Sequence, residues 1–357
     1  MDTSATGLLD VRDLSVAVRS RRGPIGLVDR VSLSIGRGEI VGLVGESGCG
    51  KSMTAAAIGR LFPTTAARIT GGEVMLEGTG DLTNLSDRQF RKIRGARIGM
   101  IFQDPSTYLD PLMTIGRQVG EALQAHGYEG SREDRVAELL AMMGLPDAAQ
   151  LSTRYPHELS GGQRQRVLIA AALAGEPDLL IADEPSTALD VTVQAEILVL
   201  LRELRDDLGL SILMITHDLG VVAQMCDRVY VMYAGRVVEE RDVYEIFKDP
   251  RHPYTLGLLA GTLSPEVRDQ ELFAIPGRVP DPRAMPEGCR FHPRCPLAVQ
   301  ECREKEPPKQ PLGEGFSACW KYDDPRLPRA WQLAEEHVLP VGFEGIPATS
   351  DDEVSEP

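Results

Sequence analysis

Apolar and polar positions alternate from Leu8 to about Leu43, with glycines breaking the pattern. Val11, Leu14, Val16 and Val18 predict one strand and Val28 to Ile35 a second. The unbroken apolar run Ile40 to Val44 predicts a third, buried on both faces. A glycine-rich turn follows, and the Ala-rich stretch Lys51 to Leu61 predicts a helix. Val74 to Leu76 and Ile98 to Phe102 read as short strands. Between Ser131 and Met143 the residues Val136, Leu139, Leu140 and Met143 fall on one helical face, and Gln163 to Leu173 predicts another helix. Two apolar runs, Leu179 to Ala182 and Ser211 to Thr216, flank the amphipathic stretch Val193 to Leu204. That βαβ rhythm implies an α/β fold with a parallel sheet. Val229 to Met232 and Arg236 to Glu239 read as a closing hairpin around Ala234-Gly235. No internal repeat is present.

After about Thr262 the pattern dissolves. Prolines recur from Pro276 to Pro311, so little regular structure is expected and stability there needs a staple. From about Pro340 the chain is rich in Gly, Pro and acidic residues and reads as a mobile tail. No apolar run reaches the roughly 18 residues of a membrane-spanning helix. Met1 to Asp10 lacks the basic and apolar regions of a secretory leader, so a cytoplasmic chain is expected.

Charge and cysteine usage narrow the chemistry. A net charge of −15 argues against wide contact with nucleic acid, although one nucleotide needs only a local positive field. Of six cysteines, Cys49 and Cys226 stand alone, whereas Cys289, Cys295, Cys302 and Cys319 crowd one segment with the spacing C-x5-C-x6-C-x16-C. A reducing compartment makes disulfides unexpected and points such a cluster toward metal. Zinc ribbons pair their cysteines more closely. Four thiolates in a Pro-rich loop suit an iron–sulfur cluster; zinc and free structural thiols are the other readings.

Gly45-Glu46-Ser47-Gly48-Cys49-Gly50-Lys51-Ser52 fits the pattern G-x-x-x-x-G-K-S/T between a buried strand and a helix. Glycines there let successive backbone N–H groups turn toward phosphate oxygens, and the helix N-terminus adds positive potential. Lys51 would place its charge on the β- and γ-phosphates, and the Ser52 hydroxyl would ligate Mg²⁺. The strand Leu179–Ala182 ends in Asp183-Glu184. If it ends beside the phosphate loop, Asp183 lies near Mg²⁺ and Glu184 can orient or deprotonate the attacking water.

Leu159-Ser160-Gly161-Gly162-Gln163, shortly before that strand, resembles the signature sequence of the ABC ATPases. Gln103 is similar to their Q-loop glutamine, Ser186-Thr187-Ala188-Leu189-Asp190 to their D-loop, and His217 to their switch histidine. The resemblance spans about Leu8 to Pro253. It implies a P-loop NTPase core of mostly parallel sheet, an antiparallel β subdomain and a helical subdomain at about 104–173. It further implies that two ATPases sandwich two ATP molecules, each phosphate loop facing the partner's Ser160, Gly161, Gly162 and Gln163. Gln103 would ligate Mg²⁺ or water, and His217 would hold the γ-phosphate and the water. One departure concerns the base: the family places an aromatic ring near the first strand, whereas Val18 is the nearest match and no Phe, Tyr or Trp occurs between Met1 and Leu61.

Gln103-Asp104-Pro105-Ser106-Thr107-Tyr108-Leu109-Asp110-Pro111 is similar to the segment after the Q-loop in oligopeptide/dipeptide importer ATPases. His252-Pro253-Tyr254-Thr255 resembles the segment that follows their core, and Gly288-Cys289-Arg290-Phe291-His292-Pro293-Arg294-Cys295-Pro296 resembles their C-terminal extension. This family includes carriers of peptides, nickel and other solutes, and some members carry an iron–sulfur cluster. The resemblance implies an ATPase unit at 7–260, an extension at 261–325 and an acidic tail at 326–357. Its implied partners are two membrane permeases, an extracytoplasmic binding protein and a second, usually non-identical ATPase. The chain would then sit peripherally on the cytoplasmic face of the membrane. Two other classes compete. An ABC ATPase acting on nucleic acid or ribosomes commonly has two ATPase units or a coiled-coil insertion, and neither is seen. An iron–sulfur scaffold using ATP as a switch would co-purify with cluster-assembly proteins rather than permeases.

Overall fold

The computed structural model describes residues 7–186, 189–261 and 273–331. Thr187, Ala188 and the stretch from about Pro340 predicted as a tail lie outside the described residues. The described strands are β1 (Leu9–Ser20), β2 (Gly23–Ile35), β3 (Ile40–Val44), β4 (Ala67–Leu76), β5 (Gly80–Asp81), β6 (Ile98–Ile101), β7 (Leu179–Asp183), β8 (Ser211–Thr216), β9 (Arg228–Tyr233), β10 (Arg236–Asp242), β11 (Gln310–Leu312) and β12 (Gly315–Ser317).

They build two sheets. The larger has the order β11-β12-β10-β9-β3-β8-β7-β6. In it β3 pairs in parallel with β8 and β9, and β7 with β6 and β8. Every residue of β3 and β8 is buried, as expected of parallel strands covered on both faces. Burial contributes about 1.5–3 kcal/mol for each of Ile212, Leu213, Met214 and Ile215. The smaller sheet, β2-β1-β4-β5, is antiparallel throughout. Because β3, β7 and β8 run the same way, Val44, Asp183 and Thr216 end along one edge, where α/β proteins receive ligands.

A run of helices fills the chain between β6 and β7. Ile115, Val119 and Leu123 on the helix Ile115–Ala125 share a core with Val136, Leu139 and Leu140 on the helix Arg132–Met142. The first of these helices is not among the sequence-predicted elements: Gly116 and Gly120 weaken its intrinsic propensity, and tertiary packing of its apolar stripe forms it. In the same way β4 begins at Ala67 rather than Val74, because β1 supplies a pairing partner for the polar stretch before Val74.

The segment after β10 is not purely irregular. The strand β12 adds to β10, setting Glu239 opposite Ser317 and Glu240 opposite Phe316. A side chain at Gly315 would collide with the Glu240 carbonyl, so this approach requires glycine. Glu306 forms ion pairs with Arg30 at 2.7 Å and Arg236 at 2.9 Å, and Trp331 Nε1 donates to the Pro253 carbonyl at 2.9 Å. Tyr233, Tyr254, Phe291 and Trp331 form one aromatic cluster across the junction.

Candidate functional site

The turn Gly45–Gly50 leaves β3 and enters the helix Lys51–Ile58. Two of its glycines are sterically required. A side chain on Gly45 (φ 150°) would collide with the Met232 carbonyl. One on Gly50 (φ 111°), the N-cap, would lie 2.9 Å from the Leu27 carbonyl oxygen. Lys51 is buried inside the loop and its Nζ donates to the carbonyls of Gly45 at 2.6 Å and Glu46 at 3.1 Å. Cys49 is buried against the loop, which raises its thiol above the ordinary range, and Cys226 is a core residue.

Asp183, from the strand second from β3, reaches the loop: the Ser52 hydroxyl donates to its Oδ1 at 3.1 Å. Burial raises the Asp183 pKa, opposed by the Ser52 bond and reinforced by the adjacent Glu184. Glu184 has the left-handed backbone (φ 49°) that side chains avoid, held by its N–H to the Ile215 carbonyl at 2.8 Å. Its carboxylate is bracketed. Gln103 Nε2 donates to Oε2 at 2.9 Å, and His217 Nδ1 pairs with Oε1 at 3.0 Å. The strand ends of β6, β7 and β8 thus bring Gln103, Asp183, Glu184 and His217 together beside the loop, through the Ser52–Asp183 bond and the Gln103–Glu184–His217 contacts.

Ser160, Gly161, Gly162 and Gln163 form a separate element. Ser160 caps the helix Gly161–Leu173, and Gln163 completes a capping box: Gln163 N–H donates to Ser160 Oγ at 3.3 Å and Ser160 N–H to Gln163 Oε1 at 3.0 Å. These bonds are to each other, not to the phosphate loop. Gly162 lets its helix approach the helix Val191–Leu208 closely, since a side chain there would come within 2.5 Å of Val193 Cγ1. Asp190 caps the next helix through Val193 N–H at 3.0 Å.

Cys289, Cys295, Cys302 and Cys319 line one pocket with His252 and Phe291. Burial pushes the Cys289 thiol up to about 11 and Cys295 to about 12, and raises Cys319 as well. Burial drives His252 down to about 3, so it is neutral; its Nδ1 accepts from Tyr254 N–H at 3.0 Å, which puts the proton on Nε2. That Nε2–H is buried and has no partner. Among the described residues no three His, Cys, Asp or Glu side chains converge on the position of a single metal ion.

This strand-end geometry coincides with family comparisons. An ABC transporter model matches residues 28–187, and one for the oligopeptide/dipeptide transporter C-terminal region matches 238–302. A probable peptide ABC transporter ATP-binding protein, y4tR of Sinorhizobium fredii, is 48% identical over 321 residues, covering 89% of this chain and 96% of the relative. The chain belongs to the ABC transporter ATP-binding proteins. A putative peptide import ATP-binding protein of Brucella abortus is also 48% identical, over 93% of this chain and 97% of its own length. Among solved structures, the ATP-binding cassette MJ0796, in a dimeric post-hydrolysis state bound to ADP and phosphate, aligns with TM-score 0.59 at 32% identity over 66% of this chain and 98% of that one. The α/β architecture is that of the ABC ATPase cassettes. No helix among the described residues is long and apolar enough to cross a membrane.

Two partners of the phosphate loop were not singled out from sequence. Tyr254 OH accepts from Glu46 N–H at 2.7 Å, and Arg294 pairs with the Glu46 carboxylate. Both stand in segments recognisable by resemblance, yet a contact between residues this far apart in the chain leaves no periodic or spacing trace.

Proposed function

We propose that this ABC ATPase powers an importer for di- or oligopeptides or a related solute. Residues 7–260 form the ATPase unit, with the helical part at about 104–173, and 261–325 the extension; of the stretch 326–357 expected to be a tail, Leu327, Ala330 and Trp331 are instead buried. The observation that carries the reading is the Gln103–Glu184–His217 trio beside the Ser52–Asp183 bond at the mouth of the Lys51 loop. Lys51, with the N–H groups of Gly48 to Ser52, holds the β- and γ-phosphates. Ser52, Asp183 and Gln103 would hold Mg²⁺, which would supply neutralisation of phosphate charge. Water attacks the γ-phosphorus, the bond to the bridging oxygen breaks, and ADP leaves. Glu184 receives the water's proton, and His217 and Gln103 keep its carboxylate aimed. Ser160, Gly161, Gly162 and Gln163 complete the site of a second ATPase, identical or not, and Asp190 stands at that junction. The relatives' names and the extension support peptide cargo; the chain would then work on the cytoplasmic face with two permeases, an extracytoplasmic binding protein delivering solute.

We propose that the cysteine pocket, with Cys289, Cys295, Cys302 and Cys319 lining it, would hold an iron–sulfur group. Burial raises the Cys289, Cys295 and Cys319 thiols, so they need a cation to ionise, and the unpartnered His252 Nε2–H can donate to anionic sulfur. Bound there, the cluster supplies structural cross-linking of the extension. Protein purified without oxygen should carry iron and brown colour; colourless, iron-free protein refutes it.

The catalytic assignment is tested with Glu184→Gln. ATP binding should persist while turnover in the assembled transporter falls about 10²-fold or more. Unchanged turnover would remove Glu184 from the chemistry.

A further inference from the structure

Glu46 is the one carboxylate within the phosphate loop, and its backbone carbonyl accepts from Lys51 Nζ at 3.1 Å. An unpaired negative charge there would oppose a triphosphate. The chain answers it from 248 residues away. Arg294 Nη1 donates to Glu46 Oε2 at 2.7 Å and Nη2 to Oε1 at 2.9 Å, a forked pair. The rest of the guanidinium is equally committed: Nε donates to the Pro276 carbonyl at 2.8 Å, Nη2 to the Ile275 carbonyl at 3.1 Å and Nη1 to Tyr233 OH at 3.4 Å. All five N–H groups therefore have an acceptor. The Arg294 side chain is 4% exposed, lying against the rings of Tyr233 and Phe291. On the other side Tyr254 OH accepts the Glu46 N–H at 2.7 Å, so the loop's second residue is held by both its backbone and its carboxylate.

We infer that Arg294 is a positioning residue of the nucleotide site: it fixes the phosphate loop through Glu46 and cancels that carboxylate's charge beside the bound phosphates. The inference rests on the reading of Lys51 as a phosphate ligand and makes the extension part of the ATP site. Arg294 directly precedes Cys295 and follows the Cys289–Phe291 stretch, so whatever orders the cysteine pocket orders this guanidinium. A guanidinium that only glued the extension to the core would leave nucleotide affinity untouched when replaced in a folded chain. A positioning and neutralising one would not.

The test is ATP binding to the full chain by calorimetry, with thermal melting to confirm folding. Arg294→Gln should raise the ATP Kd about tenfold, since it leaves Glu46 charged and loose. Arg294→Lys, which keeps the charge without the fork, should fall between. The double variant Arg294→Gln with Glu46→Gln should recover to within about threefold of the unmodified chain, because the offending charge is gone. If Arg294→Gln does not fold, Arg294→Lys and the double variant carry the comparison. An unchanged Kd in Arg294→Lys and Arg294→Gln, or a double variant as weak as the single, overturns the inference. Failure of the unmodified chain to bind ATP would instead overturn the nucleotide reading beneath it.

Discussion

The strand-end site and the cysteine segment are built on opposite plans. Around the phosphate loop, each residue is positioned by its own strand end, and the parallel register delivers Lys51, Asp183 and His217 to one edge. In the cysteine segment regular structure is scarce, and position comes from buried rings, ion pairs and a two-residue pairing of β12 with β10. The first plan builds an anion cradle on strand ends. The second makes the ordering of a proline-rich chain depend on a few large contacts, which sit directly beneath the loop they support.

The sharpest way to break this contrast is Phe291→Ala. Its ring is buried between Tyr233, Tyr254 and Trp331, so the variant should lose about 3–5 kcal/mol of stability, seen as a lower urea midpoint of the whole ATPase. Loss of the extension's signal alone, with the core midpoint unmoved, would mean the two regions fold independently. Glu239 gives a second probe at the same seam. Fully buried, it accepts from Thr255 Oγ1 at 2.6 Å and Arg251 N–H at 2.7 Å, and burial pushes it up to about 7. The folded chain then keeps a proton that the unfolded chain releases. Stability from this group is full below the ordinary carboxyl range and is lost as pH rises toward about 7. Urea titrations across that range should show the decline, and Glu239→Gln should flatten it. The smallest effect belongs to the strand-end site. Asp183 is raised by burial, and Mg²⁺ requires it ionised, so the Mg²⁺ enhancement of ATP affinity should weaken on acidification at a pH above the ordinary carboxyl range. In Asp183→Asn the Mg²⁺ enhancement itself should be largely gone, and with it this pH dependence.

Legibility followed the same division. Ile40–Val44, Leu179–Asp183 and Ser211–Thr216 are dictated by local apolar runs, and the candidate site residues stand at or just after their ends, so both fold core and candidate site could be read from short windows. The helix Ile115–Ala125 could not, because its glycines hide a stripe that only packing reveals. Arg294 was legible as part of a resembling segment but not as a partner of Glu46. Ion pairs across the whole chain follow from topology, not from spacing. Thr187 and Ala188 of the D-loop lie outside the described residues.

The direct measurement is equilibrium binding of ATP with Mg²⁺ to the full chain and to Lys51→Ala. A phosphate site built on Lys51 predicts saturable binding of one ATP per chain that is lost, or weakened at least about 100-fold, in the variant. Equal affinity in both, or no binding to either, would contradict it.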